Sequence, residues 1–146
     1  MAEFTAVAVQ TVAPNQNVLY TETPVCGTKC IIHRPGSGLV TLKGIKKRCP
    51  NDERPCARYK VTFGGNIAIP TGGTVGAISL AIALDGEPVP ATSMVVTPAA
   101  VAQFFNVASS IYIQAPCDCC NHLSVTNTST QAISVENANL IVERVA

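Results

Sequence analysis

The sequence predicts an all-β protein in which antiparallel strands form a sandwich of two packed sheets. Apolar side chains recur with a period of two along much of the chain, which is the pattern of a half-buried strand. The intervening segments carry Gly, Pro, Asn and Thr at intervals of about 8 to 20 residues, a spacing typical of sandwiches and barrels. Charged residues make up only 13% of the 146, too few for a protein of long solvated helices.

The strongest strand signal lies before the turn at Asp85-Gly86. One face of this predicted strand carries Ile78, Leu80, Ile82 and Leu84. The other face carries small residues of low polarity, namely Val75, Ala77, Ser79, Ala81 and Ala83. A sandwich core accounts for one apolar face per strand, and monomers rarely expose a second one as a contiguous strip. The strip therefore predicts a buried interface between copies of the chain.

Further strands follow from the same alternation. Every second residue is apolar at Tyr59, Val61 and Phe63, and again at Leu123 and Val125. A strand is also predicted from about Val101 to Ile113, although Pro98 and the frequent alanines suit a helical turn in the same stretch. In the last segment Ile133 and Val135 share one parity, whereas Leu140 and Val142 share the opposite one. A bulge or break near Asn137 to Asn139 would reconcile them.

Six turns separate these segments, and the chain forms one domain over residues 1–146. The turns are predicted at Pro14-Asn15, Pro35-Gly36, Gly64-Gly65, Thr71-Gly72-Gly73, Asp85-Gly86 and Asn127-Thr128. The length suits a single domain of eight or more strands, and we find no repeat or linker. No apolar stretch reaches about 18 residues and the start lacks the pattern of a secretory leader, so no membrane association is expected.

The segments GGTVGAISLAIALDGEPVPATSMVVTP and LSVTNTSTQAISVENANLIVERV, with the FFNV and IYI segments between them, resemble a trimeric jelly-roll head over residues 5 to 145. Tumour necrosis factor and complement globular heads belong to that superfamily. Closer similarity is to collagen-associated spore-surface heads and to structural proteins of phages that infect gut Firmicutes. The resemblance implies an antiparallel jelly-roll sandwich of about ten strands that assembles as a homotrimer around a threefold axis.

The resemblance also implies a structural function without catalysis. Our first hypothesis is a decoration protein that cements a phage capsid or presents loops on the virion. The chain has no Gly-X-Y stalk before the head, which favours a compact protein seated directly on a particle over the tip of a filament. The alternatives are a trimeric head on a spore or cell surface, and a glycan-binding fibre module. No enzyme activity and no cofactor are expected.

Seven cysteines are a high number for a chain of this length. Cys49 and Cys56 flank a polar loop that a disulfide could clamp. The other five form a possible disulfide or thiol cluster: Cys26, Cys30, Cys117, Cys119 and Cys120. Their spacing differs from that of a standard zinc knuckle, so we predict no metal site. His33 and His122 lie beside these groups, but no pocket or oxyanion donor is evident for a catalytic Cys–His pair.

A basic segment lies in the first half of the chain. The window from residue 43 to 60 has a net charge of +5 and the remainder −4, which together give the chain's net charge of +1. The possible docking patch comprises Lys43, Lys46, Lys47, Arg48, Arg54, Arg58 and Lys60. It would suit an acidic protein such as a capsid surface; nucleic acid is not expected, because only Tyr59 is available for base stacking. Trp is absent, so a glycan would have to stack on one of three tyrosines.

Overall fold

The computed structural model describes residues 1–26, 29–44, 57–115 and 120–145. They form two antiparallel sheets of six strands each, together with a short 3-10 helix at Pro90–Thr92. Sheet 1 contains β1 (Ala2–Ala6), β2 (Gln10–Val12), β3 (Glu22–Val25), β6 (Arg58–Ala68), β10 (Phe105–Gln114) and β12 (Ile133–Arg144). Sheet 2 contains β4 (Ile31–His33), β5 (Val40–Lys43), β7 (Ile78–Leu84), β8 (Glu87–Pro88), β9 (Met94–Val96) and β11 (Cys120–Asn127).

The strand order confirms a sandwich with non-consecutive neighbours. Sheet 1 runs β10-β6-β12-β1-β3, with β2 beside β12; sheet 2 runs β4-β5-β11-β7-β8, with β9 beside β7. None of the helical structure in the described residues is long and apolar enough to cross a membrane. The twelve strands exceed the ten that the resemblance implies, because several of the strands have only two to four residues.

A single core fills the space between the sheets, and β6 shows how the sequence pattern builds it. Tyr59, Val61, Phe63 and Ile67 point inward and are fully buried, while the residues between them face outward. The facing sheet supplies Leu80 and Ile82 from β7 and Leu123 and Val125 from β11, all fully buried. The period of two in the sequence therefore marks the inner face of each long strand.

The predicted break in the last strand is confirmed as a β-bulge. The pairing between β12 and β6 shifts register between Glu136 and Asn139, and Asn137 lies in the left-handed region with φ of 51°. The extra residue changes the phase of the alternation, so that Ile133 and Val135 before it and Leu140 and Val142 after it all reach the core.

The prediction of a turn at Gly64-Gly65 is wrong. Both glycines lie inside the eleven-residue strand β6, where they pair with Ala108 and Val107 of β10. Gly65 lies opposite the bulge, whose backbone would be 3.5 to 3.6 Å from a Cβ at this position. The glycines therefore lie within a continuous strand beside the bulge and do not reverse the chain.

The boundaries of two other predicted strands need correction. The strand predicted from Val101 begins only at Phe105, because Ala102 adopts a left-handed φ of 60° in a turn and donates its N–H to Ile69 O. β7 begins at Ile78, and it ends at a turn in which Asp85 and Gly86 have φ of 52° and 85°, as predicted. Val75 and Ala77 therefore lie before the first residue of the strand.

The predicted apolar strip on the second face of β7 is not an open surface. Ala81 and Ala83 are each 1% exposed within a single chain, and only Val75 and Ala77 are exposed. β7 is a central strand, with β11 on one side and β8 and β9 on the other. The strip is therefore not the contiguous exposed surface from which the sequence predicted an interface.

Candidate functional site

One end of the sandwich brings the described cysteines together with several strand termini. Cys26 follows β3, Cys30 precedes β4 and Cys120 begins β11. At the same end the chain leaves the described residues at Gly44 and Ala115 and returns at Ala57 and Cys120. We call this the cysteine end. The topology therefore brings to one place sequence positions that are about ninety residues apart.

Cys30 lies in a polar contact at the cysteine end. Its Sγ accepts a hydrogen bond from Nη1 of Arg144 at 3.2 Å, and its carbonyl is 3.3 Å from the hydroxyl of Tyr59. The same hydroxyl donates to the carbonyl of Lys43 at 2.5 Å. Burial, reinforced by the neighbouring Cys30, raises the pKa of Tyr59 to about 12, against the opposing effect of Arg144. The phenol is therefore neutral at physiological pH and acts as a structural donor.

The predicted cysteine cluster is tested only in part. Among the described residues, no disulfide joins any two of Cys26, Cys30 and Cys120. Lys43 pairs with Cys120 on one side and donates its N–H to Cys30 on the other, which places the two cysteines two strand spacings apart, roughly 10 Å. That separation exceeds the reach of a disulfide. Cys49, Cys56, Cys117 and Cys119 lie outside the described residues.

The geometry of the described residues gives no support to metal or Cys–His chemistry. No group of three or more His, Cys, Asp or Glu side chains converges within the described ranges. His33 donates from Nε2 to the carbonyl of Ser37 at 2.8 Å, and Nδ1 of His122 lies 3.3 Å from the hydroxyl of Thr41. Each histidine is thus held by a group other than a thiol.

The predicted basic patch is described at three of its seven positions. Arg58 and Lys60 point outward from β6, and Lys43 is exposed at the end of β5 in the other sheet. Lys60 lies over the ring of Tyr112, 6.0 Å from its centroid, a geometry that allows a cation–π contact. Lys46, Lys47, Arg48 and Arg54 lie outside the described residues, so a single continuous basic surface stays a prediction.

The outer face of sheet 1 is the surface that the sequence analysis missed. The pairing register aligns its side chains in rows that cross the strands. From the cysteine end these rows are Tyr112–Lys60–Glu143, then Ser110–Thr62–Ile141–Glu3, then Ala108–Gly64–Asn139–Thr5, then Asn106–Asn66–Glu136. We call the second and third the small-residue rows. Their only charged side chain, Glu3, accepts a hydrogen bond from Asn139 at 2.6 Å.

Tyr112 stands at the edge of these rows and is 70% exposed, more than any other large hydrophobic side chain described. It belongs to β10, whose outward positions alternate with the buried Val107 and Ile113. The neighbouring side chains in the second row are short, and the hydroxyls of Ser110 and Thr62 are 3.1 Å apart in a cross-strand hydrogen bond. An aromatic ring therefore projects beside a flat, mostly uncharged floor.

Tyr20 and His33 each carry a buried polar atom for which the described residues offer no hydrogen-bond partner. Tyr20 is fully buried, and its hydroxyl has no hydrogen-bond partner among the described residues. The same holds for Nδ1 of His33, whose ring lies 6.1 Å from that of Tyr20 and 4.6 Å from that of Phe4. Burial raises the pKa of Tyr20 far above its ordinary value.

The comparisons with known proteins support the fold. No protein-family model and no curated protein sequence matches the chain. Among solved structures, the chain is similar to the globular domain of zebrafish complement 1qA protein, with a TM-score of 0.62 and 10% identity over 96% of this chain and 94% of that one. At this identity the likeness shows the fold alone. It confirms the predicted all-β jelly roll and the resemblance to complement heads at the level of the fold.

Two further solved structures match with lower scores. The C-terminal domain of EclA, a sugar-binding protein, has a TM-score of 0.40 and 13% identity over 94% of this chain and 79% of that one. The CBM35 of Cellvibrio japonicus Abf62 has a TM-score of 0.38 and 10% identity over 95% and 99%. Neither likeness is strong enough to bear on function.

Proposed function

We propose that the chain is a non-enzymatic structural head that forms a homotrimer and decorates a phage particle. The observation that supports this proposal is the outer face of sheet 1, where the exposed Tyr112 stands beside the small-residue rows. The interface thus moves from the strip on β7 to the opposite sheet.

The composition of this face suits contact with another protein surface. Interface cores are depleted of charge and enriched in aromatic residues, and the most important contacts are often buried Tyr side chains. Short side chains such as those of Gly64, Ala108 and Ser110 allow a second backbone to come close. Burying the ring of Tyr112, now 70% exposed, would remove an apolar surface that is costly to leave in water.

The projecting ring of Tyr112 and the floor around Gly64 lie side by side on the same face, so the ring of one copy can be inserted against the floor of another. Both a two-fold pair and a closed ring of copies satisfy this contact. The trimer is the smallest such ring and is the state that the jelly-roll resemblance implies.

The oligomeric part of the proposal is tested by sedimentation equilibrium with and without reductant. We expect a mass of three chains of 15.2 kDa, or of six where two trimers associate, unchanged by reductant. Tyr112→Ala should shift the equilibrium to smaller species, whereas Val95→Ala, which truncates a 60% exposed side chain on sheet 2, should not. A protein that remains monomeric at every concentration would refute the trimer.

The particle role is tested separately, by mass spectrometry and labelled imaging of purified virions. Detection of the chain at a fixed ratio to the capsid protein would support decoration. Its absence from virions, with recovery in spore-coat or cell-surface extracts, would favour the alternative trimeric head. The resemblance, and not the geometry, provides the support for this part of the proposal.

Glycan binding is the second candidate, and the exposed ring of Tyr112 is the observation that favours it. Sugars stack on exposed aromatic faces, and Lys60, 6.0 Å from the ring centroid, could donate to their hydroxyls. A glycan array with the wild type and Tyr112→Ala tests the idea. Binding that disappears in the variant would support it, and no binding to any glycan would exclude it.

A further inference from the structure

The edges of the two sheets differ in how well they are protected. A sheet edge presents unpaired N–H and C=O groups, which natural proteins protect by short length, charge or proline. Of the strands with one partner, β2, β4 and β9 have three residues each, β8 is the dipeptide Glu87–Pro88, and β3 contains Glu22 and Pro24. Each carries at least one of these protections.

β10 has none of these protections. Its ten residues, Phe105 to Gln114, contain no charged residue and no proline, and they span about 33 Å. β6 pairs with one side of it along its whole length. On the other side the 3-10 helix and β9 of the second sheet lie close enough to shield part of the edge, but no strand among the described residues pairs with it. Its outward row of backbone donors and acceptors therefore has no strand partner within the described part of the chain.

We propose that the open edge of β10 pairs antiparallel with β10 of a second copy, so that sheet 1 continues across a two-fold axis. The same strand offers the complementary set of donors and acceptors when it is reversed. Because neither copy carries a charge on this strand, pairing brings no like charges together.

The side-chain pattern selects one register. Residues that oppose each other in an antiparallel pair point to the same face of the sheet, whereas successive residues of one strand point to opposite faces. The two-fold axis must therefore pass between a residue and its own copy, because an axis between two successive residues would oppose side chains of different faces. An axis through Ser109 places Val107 opposite Ile111 and Phe105 opposite Ile113 on the inner side. It places Ala108 opposite Ser110 on the outer side. An axis through Ser110 would instead put Ser109 opposite Ile111 and lose an apolar pair.

This edge contact is independent of the proposed trimer. The trimer uses the outer face of sheet 1, whereas the edge contact uses backbone groups and the position of Ser109, whose side chain points toward the inner side. If both contacts form, two trimers join into a hexamer. If the trimer proposal fails, the edge contact alone yields a dimer. The two proposals can therefore fail separately.

Charge exchange at Ser109 tests the contact. Ser109→Lys and Ser109→Glu each place two like charges directly opposite on the axis, and we expect each to weaken the edge association at least about tenfold. An equimolar mixture of the two should restore it, because Lys then faces Glu. Ser109→Gln, which is long and uncharged, is the matched control and should retain the association. Sedimentation measures all four samples, and circular dichroism verifies their fold.

Hydrogen exchange of the wild type gives a test without a mutation. Alternate amides of residues 105–114 already bond to β6, and the remainder should exchange at least about tenfold more slowly at high protein concentration than at low concentration. Exchange independent of concentration would overturn the proposal. So would charged variants that assemble like the wild type, or a Lys and Glu mixture that does not reassociate.

Discussion

Two buried tyrosines in one core provide a sharp test of the hydrogen-bond assignments. Tyr20 and Tyr59 are both fully buried, but within the described ranges only the hydroxyl of Tyr59 finds an acceptor, the carbonyl of Lys43 at 2.5 Å. We expect Tyr20→Phe to stabilise the protein by about 1 kcal/mol, because it removes a buried hydroxyl whose desolvation is uncompensated. Tyr59→Phe should destabilise it by about 1 to 2 kcal/mol, because it leaves the Lys43 carbonyl without its donor.

Urea unfolding of the wild type and both variants measures this contrast. The two substitutions remove the same atom, so changes in the unfolded state largely cancel, and we expect their free energies of unfolding to differ by about 2 to 3 kcal/mol. In thermal unfolding the melting temperatures should separate by several degrees, since about 1 kcal/mol corresponds to roughly 2–4 °C at this size. If Tyr20→Phe destabilises as much as Tyr59→Phe, the hydroxyl of Tyr20 has a partner and our reasoning is wrong.

Three further predictions concern pH and packing. The free energy of unfolding should fall as pH rises from 10 toward 12. Tyr59 keeps its proton in the folded protein up to a pKa of about 12, but it loses the proton near pH 10 in the unfolded chain. Denaturation measured over this pH range should show a smaller fall for Tyr59→Phe. Gly38→Ala should destabilise strongly, since its Cβ would lie 2.6 Å from a backbone oxygen, whereas Gly76→Ala, whose Cβ would have no atom within 4 Å, should be neutral or slightly stabilising by thermal melting. Thr92→Val should cost about 1 to 3 kcal/mol in urea unfolding, because the buried N–H of Ile82 loses its acceptor at 2.9 Å.

The fold was predictable where the inner face of a strand is marked by large residues. The alternation around Tyr59, Val61 and Phe63 predicted the position of β6. The change in the phase of the alternation before Leu140 predicted the position of the bulge. The turn at Gly64-Gly65 was mispredicted because a glycine pair has the same local signal in a tight turn and beside a bulge. Only the partner strands distinguish the two cases, and their pairing is not local information.

The candidate surface was less predictable, for a physical reason. Exposure depends on the tertiary structure around a residue, so the sequence predicted Ala81 and Ala83 to be exposed, whereas both are buried within a single chain. Conversely, the small-residue rows combine β10, β6, β12 and β1, whose residues are far apart in the chain. The contact between Arg144 and Cys30 likewise joins residues 114 positions apart. No local pattern marks either feature.

The bulge at Asn137 has a consequence for how this gene can change. Before the bulge the odd-numbered residues of β12 face the core, and after it the even-numbered residues do. The single additional residue in the bulge produces this change. Loss of one codon there would rotate Leu140 and Val142 toward solvent and drive Ile141 and Glu143 into the interior. A shortened surface loop leaves the core unchanged, but a deletion at this position would turn half of a twelve-residue strand inside out.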